Sequence, residues 1–171
     1  TPLLELADGC TLDRAVDRQV AIARQLIAAG ADVHAVDQLK QNALSLAAAD
    51  CPIEIVRMLV TAGTSPTAVS TINTTPLFAA INANRVDVID VLLDAGVDPK
   101  KEPYNVGKFS AGNKPVQDAL KRANMPADSI HGDKGAEQRH VVLQAFTRGK
   151  TRFLVATDVA ARGIDVEGIS H

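Results

Sequence analysis

Aromatic residues are scarce in this 171-residue chain, 3% of the whole, with one Tyr, four Phe and no Trp. Any core must therefore be built from Ala, Val, Leu and Ile, which suits short helices whose backbones approach closely. Cysteine is nearly absent too: Cys10 and Cys51 are the only two. Two cysteines do not make a disulfide framework, so both are expected as buried thiols in a reducing compartment. No apolar run approaches the ~20 residues of a membrane-crossing helix, and no secretory leader opens the chain; no membrane association is expected. Neither sign of charge prevails. Lys and Arg number 18 against 20 Asp and Glu, a net charge of −2. That balance gives no bulk attraction to nucleic acid or anionic membrane and leaves only local patches open. The length allows one or two small domains. The first residue is Thr1, not Met, so the natural start is expected to be missing or trimmed. An intracellular location, cytoplasmic or nuclear, and a monomeric state are expected.

What is present is a repeat. Leu26-Ile27-Ala28-Ala29-Gly30, Leu59-Val60-Thr61-Ala62-Gly63 and Leu92-Leu93-Asp94-Ala95-Gly96 are near copies, and their glycines recur with a period of 33. Upstream, Ala43-Leu44 and Pro76-Leu77 are offset by the same period. Each unit reads as helix, short turn, helix, loop. Thr75 is placed to cap a first helix with Pro76 at its first position, where a missing N–H costs nothing. Val88, Ile89, Val91, Leu92 and Leu93 form an apolar stripe at helical spacing on the second. Gly96, like Gly30 and Gly63, falls just past that helix, where a left-handed backbone is expected. One unit cannot bury its own stripe, whereas stacked units can. Leu26, Leu59 and Leu92 are expected in equivalent buried positions.

These residues resemble the ankyrin repeat, whose pattern opens on TPLH and ends on Gly-Ala-Asp-V/P. Thr1-Pro2-Leu3, Thr75-Pro76-Leu77, Gly30-Ala31-Asp32-Val33 and Gly96-Val97-Asp98-Pro99 carry the likeness over roughly residues 1–112. The usual His of the opening is Leu4, Ser45 and Phe78 here, so its inter-repeat hydrogen bonds are expected to be lost. The hairpin-tip Gly is Lys40 in one unit and Asn73 in the next; Asn tolerates a positive φ and Lys does so poorly. The step from Pro2 to Ala43 is longer than the period by 8, which places an insertion within 9–20 and predicts an irregular first repeat. The resemblance implies a protein-binding surface on the concave face and hairpin tips. His34, alone in its loop, is expected to be solvated or capping rather than a metal ligand.

Residues 100–114 are rich in Lys, Gly, Pro and Asn and read as a loop. The helix expected over 116–123 suits either a fourth, incomplete repeat or the start of a different domain, with the boundary within 101–126. From Ala127 the pattern becomes a short strand to Ile130, a helix over 136–147, and a β-prone run over 152–156. Thr157-Asp158 then leads into a strand-to-helix turn. That order suits a parallel α/β sheet.

This segment resembles the C-terminal RecA-like domain of DEAD-box RNA helicases. Ser129-Ile130-His131-Gly132-Asp133-Lys134 matches its IHGD element, Arg139 the Arg of its Q-x-x-R motif, and the run from Ala156 through Thr157, Asp158, Arg162 and Gly163 to Asp165 its motif V. The resemblance implies that Arg139 and Thr157 contact the RNA backbone, that Gly163 lies close to RNA, that Asp165 reaches the ATP ribose, and that Arg162 organises its loop. A guanidinium pairs with phosphate, and a hydroxyl beside free N–H groups cradles it. The motif's Gln is Ala136 here, and that contact is expected to be lost. The fold class expected overall is mostly α: an ankyrin solenoid over 1–112, of three repeats with a partial fourth open, followed by a partial α/β, RecA-like segment over 113–171.

Gly149-Lys150-Thr151 looks like the end of a P-loop, but the first Gly of that motif would have to be Gln144 and the order of helix and strand is reversed. Neither a P-loop nor an Asp-Glu-Ala-Asp sequence occurs, and His171 precedes the family's arginine-rich motif VI. The 171 residues by themselves are therefore expected to be inactive, with no catalytic residue, metal site or cofactor of their own; ATP and Mg²⁺ belong to a full-length helicase. Three readings stay open: a protein-binding module carrying a helicase remnant, part of an ATP-dependent RNA helicase with an ankyrin block, or a fused gene-model artefact.

Overall fold

Three capping side chains start three equivalent helices. Thr1 Oγ1 accepts from the Leu4 N–H (3.4 Å), Asn42 Oδ1 from Ser45 (2.8 Å) and Thr75 Oγ1 from Phe78 (3.1 Å), each satisfying a donor that the first turn leaves unpaired. The helices are α1 Pro2–Asp8, α3 Ala43–Asp50 and α5 Pro76–Asn82. Each is followed by a partner: α2 Val16–Ala28, α4 Ile53–Thr61 and α6 Val86–Asp94. The computed structural model describes residues 1–12, 15–103, 108–109, 114–123, 127–130, 135–148, 150 and 153–156. It divides the chain into two compact units, Thr1–Asp98 and Pro99–His171.

In the first unit the helix pairs stack, α1 on α3 on α5 and α2 on α4 on α6. The aliphatic core expected from the composition is there: Leu44, Val56, Leu59, Leu77, Val88, Ile89 and Leu92 are all fully buried. Gly30, Gly63 and Gly96 close the second helices at φ of 78°, 90° and 86°. The next N–H in each case returns to the Leu carbonyl of the preceding turn, Ala31 to Leu26, Thr64 to Leu59 and Val97 to Leu92, so the last carbonyls are satisfied. Leu26 thus holds the backbone position of Leu59 and Leu92 but, contrary to expectation, is only partly buried. Its helix packs on α1 and α4, and among the described residues no helix covers its other flank.

The loops between pairs repeat as closely as the helices. The Asp37 carboxylate accepts from the Leu39 and Gln41 N–H groups (2.8 and 2.7 Å), and the Ser70 hydroxyl, one period on, accepts from Thr74 (2.8 Å). Lys40 and Asn73 turn the hairpin tips at φ of 59° each, a conformation that costs a residue such as Lys about 1–2 kcal/mol and Asn less. In the second repeat one side-chain bond does reach the loop that follows. Asn42 donates its side-chain amide to the Ser65 carbonyl in the following loop at 2.8 Å. Thr64 is the exception to this pattern of satisfied polar groups: it is 1% exposed, and its hydroxyl has no partner. The repeat places apolar Ala31 and Val97 at the same position. Thr64→Val should therefore raise the unfolding free energy by about 1 kcal/mol, because the isosteric methyl removes an unpaired buried hydroxyl. Urea unfolding checks this, and a loss of stability would mean that the hydroxyl has a partner in solution.

The turns inside the pairs line up in a column. The first is long, spanning residues 9–15, where the second is 51–52 and the third 83–85; α2 has 13 residues against 9 in α4 and α6. This is the expected irregular first repeat. Cys10 and Cys51, expected as thiols, are instead joined in a disulfide with a Cα–Cα distance of 4.8 Å. Stacking brings the two turns side by side at a separation a disulfide can bridge. The third turn is tied to the second by Arg85, which is 9% exposed. Its guanidinium donates to the Ala49 and Cys51 carbonyls (3.1 and 2.8 Å) and, two-pronged, to Asp87 (2.9 and 2.8 Å). That pairing holds the Asp87 carboxyl below the usual carboxylate range.

The second unit is a parallel α/β arrangement. Its elements are β1 Lys108–Phe109, α7 Lys114–Arg122, β2 Ala127–Ile130, α8 Ala136–Thr147 and β3 Phe153–Ala156. The strand order is β1-β3-β2, both pairings parallel. Each crossover is carried by a helix, as parallel pairing demands. Val116, Ala119 and Leu120 form the buried stripe of α7, which packs on β2, as does α8. One expectation changes here: residues 108–109 form a strand inside the stretch read as a loop. For the helix over 116–123, where two readings stand open, α7 lies between two strands of this unit's sheet in chain order. The protein is mostly helical, and no described helix is long and apolar enough to cross a membrane.

Candidate functional site

The hairpin loops bring apolar side chains to the surface at repeated positions. Val36 (50% exposed) and Val69 (46%) stand one period apart, as do Leu39 (41%) and Ile72 (57%). Aliphatic side chains this exposed, at the same two offsets in successive repeats, are not packing residues of either hairpin. The tips are themselves tied together: the Thr71 N–H and hydroxyl both donate to the Leu39 carbonyl, at 2.8 and 3.1 Å. The period was in the sequence, and it is the signal that would have found this row.

Beside the first hairpin, α1 and α3 open a groove of ≈ 520 Å³. Leu4 and Leu46 provide its apolar lining, Val36 and Gln38 the hairpin side, and Glu5, Asp8 and Asp37 its carboxylates. The acidity is general to this unit. Residues 1–98 hold twelve Asp and Glu against six Lys and Arg, a formal charge of −6, while residues 99–171 hold eight against twelve, +4. His34, in the same loop, is exposed, with its N–H donated to the Asp32 carboxylate at 2.9 Å. No cluster of metal-binding side chains occurs among the described residues. An apolar, acid-rimmed groove flanked by exposed aliphatic tips can hold a chain segment.

In the second unit, Arg139 lies in the first turn of α8 and is half-buried, on the same helix as buried Val142. Lys150 is exposed. Ala156 ends β3 and is the register partner of Ile130, which ends β2. The motif residues that follow in sequence, Thr157, Asp158, Arg162, Gly163 and Asp165, lie outside the described residues, as do His131-Gly132-Asp133-Lys134.

Comparison with known proteins finds both parts. Residues 12–102 match the family of ankyrin repeats (3 copies), and residues 85–171 match the helicase conserved C-terminal domain. The matches overlap over 85–102; in the structure α6, within that overlap, packs on α4 and α5 in the helical unit. Among curated proteins, the chain is 58% identical to the ATP-dependent RNA helicase DBP2 of Candida albicans over 52 residues, 30% of this chain and 9% of that protein. It is 54% identical over 52 residues to the ATP-dependent RNA helicase dbp2 of Schizosaccharomyces pombe, 30% of this chain and 10% of that protein. It is 47% identical over 75 residues to DBP2 of Chaetomium globosum, 42% of this chain and 13% of that protein. The chain thus spans about a tenth of the length of the curated relatives it matches.

Proposed function

Since the chain belongs both to the ankyrin repeat family and to the helicase conserved C-terminal domain family, we propose that its helical unit is a protein-binding module and that its second unit is an incomplete helicase portion with no turnover of its own. The observation that carries the first half is the repeated row of exposed aliphatic tips, Val36, Leu39, Val69 and Ile72, beside the groove between α1 and α3. Such a row supplies the apolar anchors of an interface. The second half rests on the sequence: within these 171 residues nothing positions the γ-phosphate or its metal.

RNA contact through Arg139, Thr157 and Gly163, and ATP ribose contact through Asp165, belong to this proposal, as roles in a longer helicase. The identities of 47% and 58% to ATP-dependent RNA helicases favour that second reading for the parent protein. An intracellular location, monomeric state and absence of membrane association are proposed with it. The disulfide weighs the other way on location, since such bonds are uncommon in reducing compartments.

The binding role is tested by selecting peptides from a random library on the full chain and measuring their affinity for Val36→Glu and Val69→Glu variants. At least tenfold weaker binding, with unchanged denaturant unfolding, is expected. Selected peptides that bind both variants as tightly as the parent would contradict the proposed surface.

A further inference from the structure

We propose that the Cys10–Cys51 disulfide is a redox latch on the groove: formed, it holds α1 docked on α3; broken, it lets α1 leave. The consequence for binding rests on the protein-binding reading above, but the latch itself does not. Cys51 is the residue that ends α3, and Cys10 follows Gly9, the residue that ends α1. The bond therefore joins the same ends of the two helices that line the groove.

Besides the bond, α1 is held among the described residues by packing on α2 and α3 and by the paired Thr11–Gln19 hydrogen bonds at 3.0 Å, a smaller set than holds α3. α1 is seven residues long and buries Leu3, Leu4 and Ala7, whereas α3 is eight long, buries five side chains and is packed by α1, α4 and α5. A helix of two turns is not stable in water without its partner. Its link to α2 runs through residues 9–15, against the two residues 51–52 that bind α3 closely to α4. Segments with few buried contacts and long connections open before the rest of a fold. When α1 leaves, Leu4, Glu5 and Asp8 leave the groove together, and of its apolar lining only Val36 and Leu46 stay.

The chemistry balances through thiol–disulfide exchange with glutathione. One glutathione thiolate attacks a sulfur of the bond, forming a mixed disulfide and releasing the other cysteine as a thiolate that takes up a proton. A second glutathione then displaces the first protein sulfur, which is protonated in turn. The protein gains two electrons and two protons, and two glutathiones become glutathione disulfide; the reverse sequence closes the latch. Cys51 is 0% exposed and Cys10 5%, while Thr11 and Leu12 beside Cys10 are exposed. Exchange therefore begins at the Cys10 sulfur.

Hydrogen exchange followed by mass spectrometry tests this on the full chain, oxidised and in dithiothreitol, with Cys10→Ala alongside. In the oxidised protein the amides of α1 and α3 should exchange at comparable rates. In dithiothreitol, and in Cys10→Ala with or without it, α1 amides should exchange at least tenfold faster than those of α3. Equal acceleration of α1 and α3 would show that the bond supports only the unit as a whole, and unchanged α1 exchange would show that packing alone suffices; either result overturns the latch. Loss of the peptide-binding surface in the preceding experiment is a separate outcome and leaves this readout intact.

Discussion

Leu59→Ala is expected to lower the unfolding free energy of the helical unit by about 2–5 kcal/mol. Leu59 is fully buried on α4, the helix that stands between α2 and α6. In a stack of repeats each unit draws its stability from its neighbours, so a cavity in the middle pair weakens both interfaces. The composition bears on the effect: with 3% aromatics and no Trp, no aromatic side chain is among the buried core residues described. Leu26→Ala, at the equivalent but partly exposed position, should cost less. Urea unfolding of the two variants gives the comparison. A Leu59→Ala loss below about half a kcal/mol would contradict the stacked arrangement, since full burial of a leucine is worth more than that.

Reduction of the disulfide is expected to lower the unfolding free energy by about 2–4 kcal/mol, the usual range for a bond that closes a loop of this order. The two cysteines have a sequence separation of 41, enough to restrict the unfolded chain substantially. Denaturant unfolding with and without dithiothreitol measures it, and Cys10→Ala should show the lowered stability in both conditions. Insensitivity of the parent protein to reductant would mean that the bond adds nothing to the stability that packing supplies.

The repeats were legible because their local chemistry is explicit. A cap at Thr1 or Thr75, proline at the next position, an aliphatic stripe and a glycine at positive φ each point to the same helix ends, and the recurring period multiplies them. The disulfide is not legible in a count of two cysteines, only in their placement. Cys10 and Cys51 are separated by 41 in sequence, the same offset as Pro2 and Ala43, which open equivalent helices. They therefore occupy equivalent positions in adjacent repeats, which stacking makes neighbours, and the insertion lies beyond Cys10. Strand β1 was invisible for a different reason: two residues, Lys108 and Phe109, carry no periodicity, and they form a strand because β3 offers an edge to pair with. In the second unit the strands and helix carrying Ala156 and Arg139 were read correctly, whereas the motif residues from Thr157 to Asp165 lie outside what the structure describes.

The proposed joining of a binding module to a helicase portion without turnover of its own is tested most directly by phosphate release. The full chain is incubated with ATP and Mg²⁺, with and without single-stranded RNA, beside an Asp165→Ala variant. The expected result is no release above the buffer control in any arm, because these residues contain no group that positions the γ-phosphate or the attacking water. RNA-stimulated release that Asp165→Ala abolishes would contradict the account, since it would place the Asp165 motif in a working ATP site.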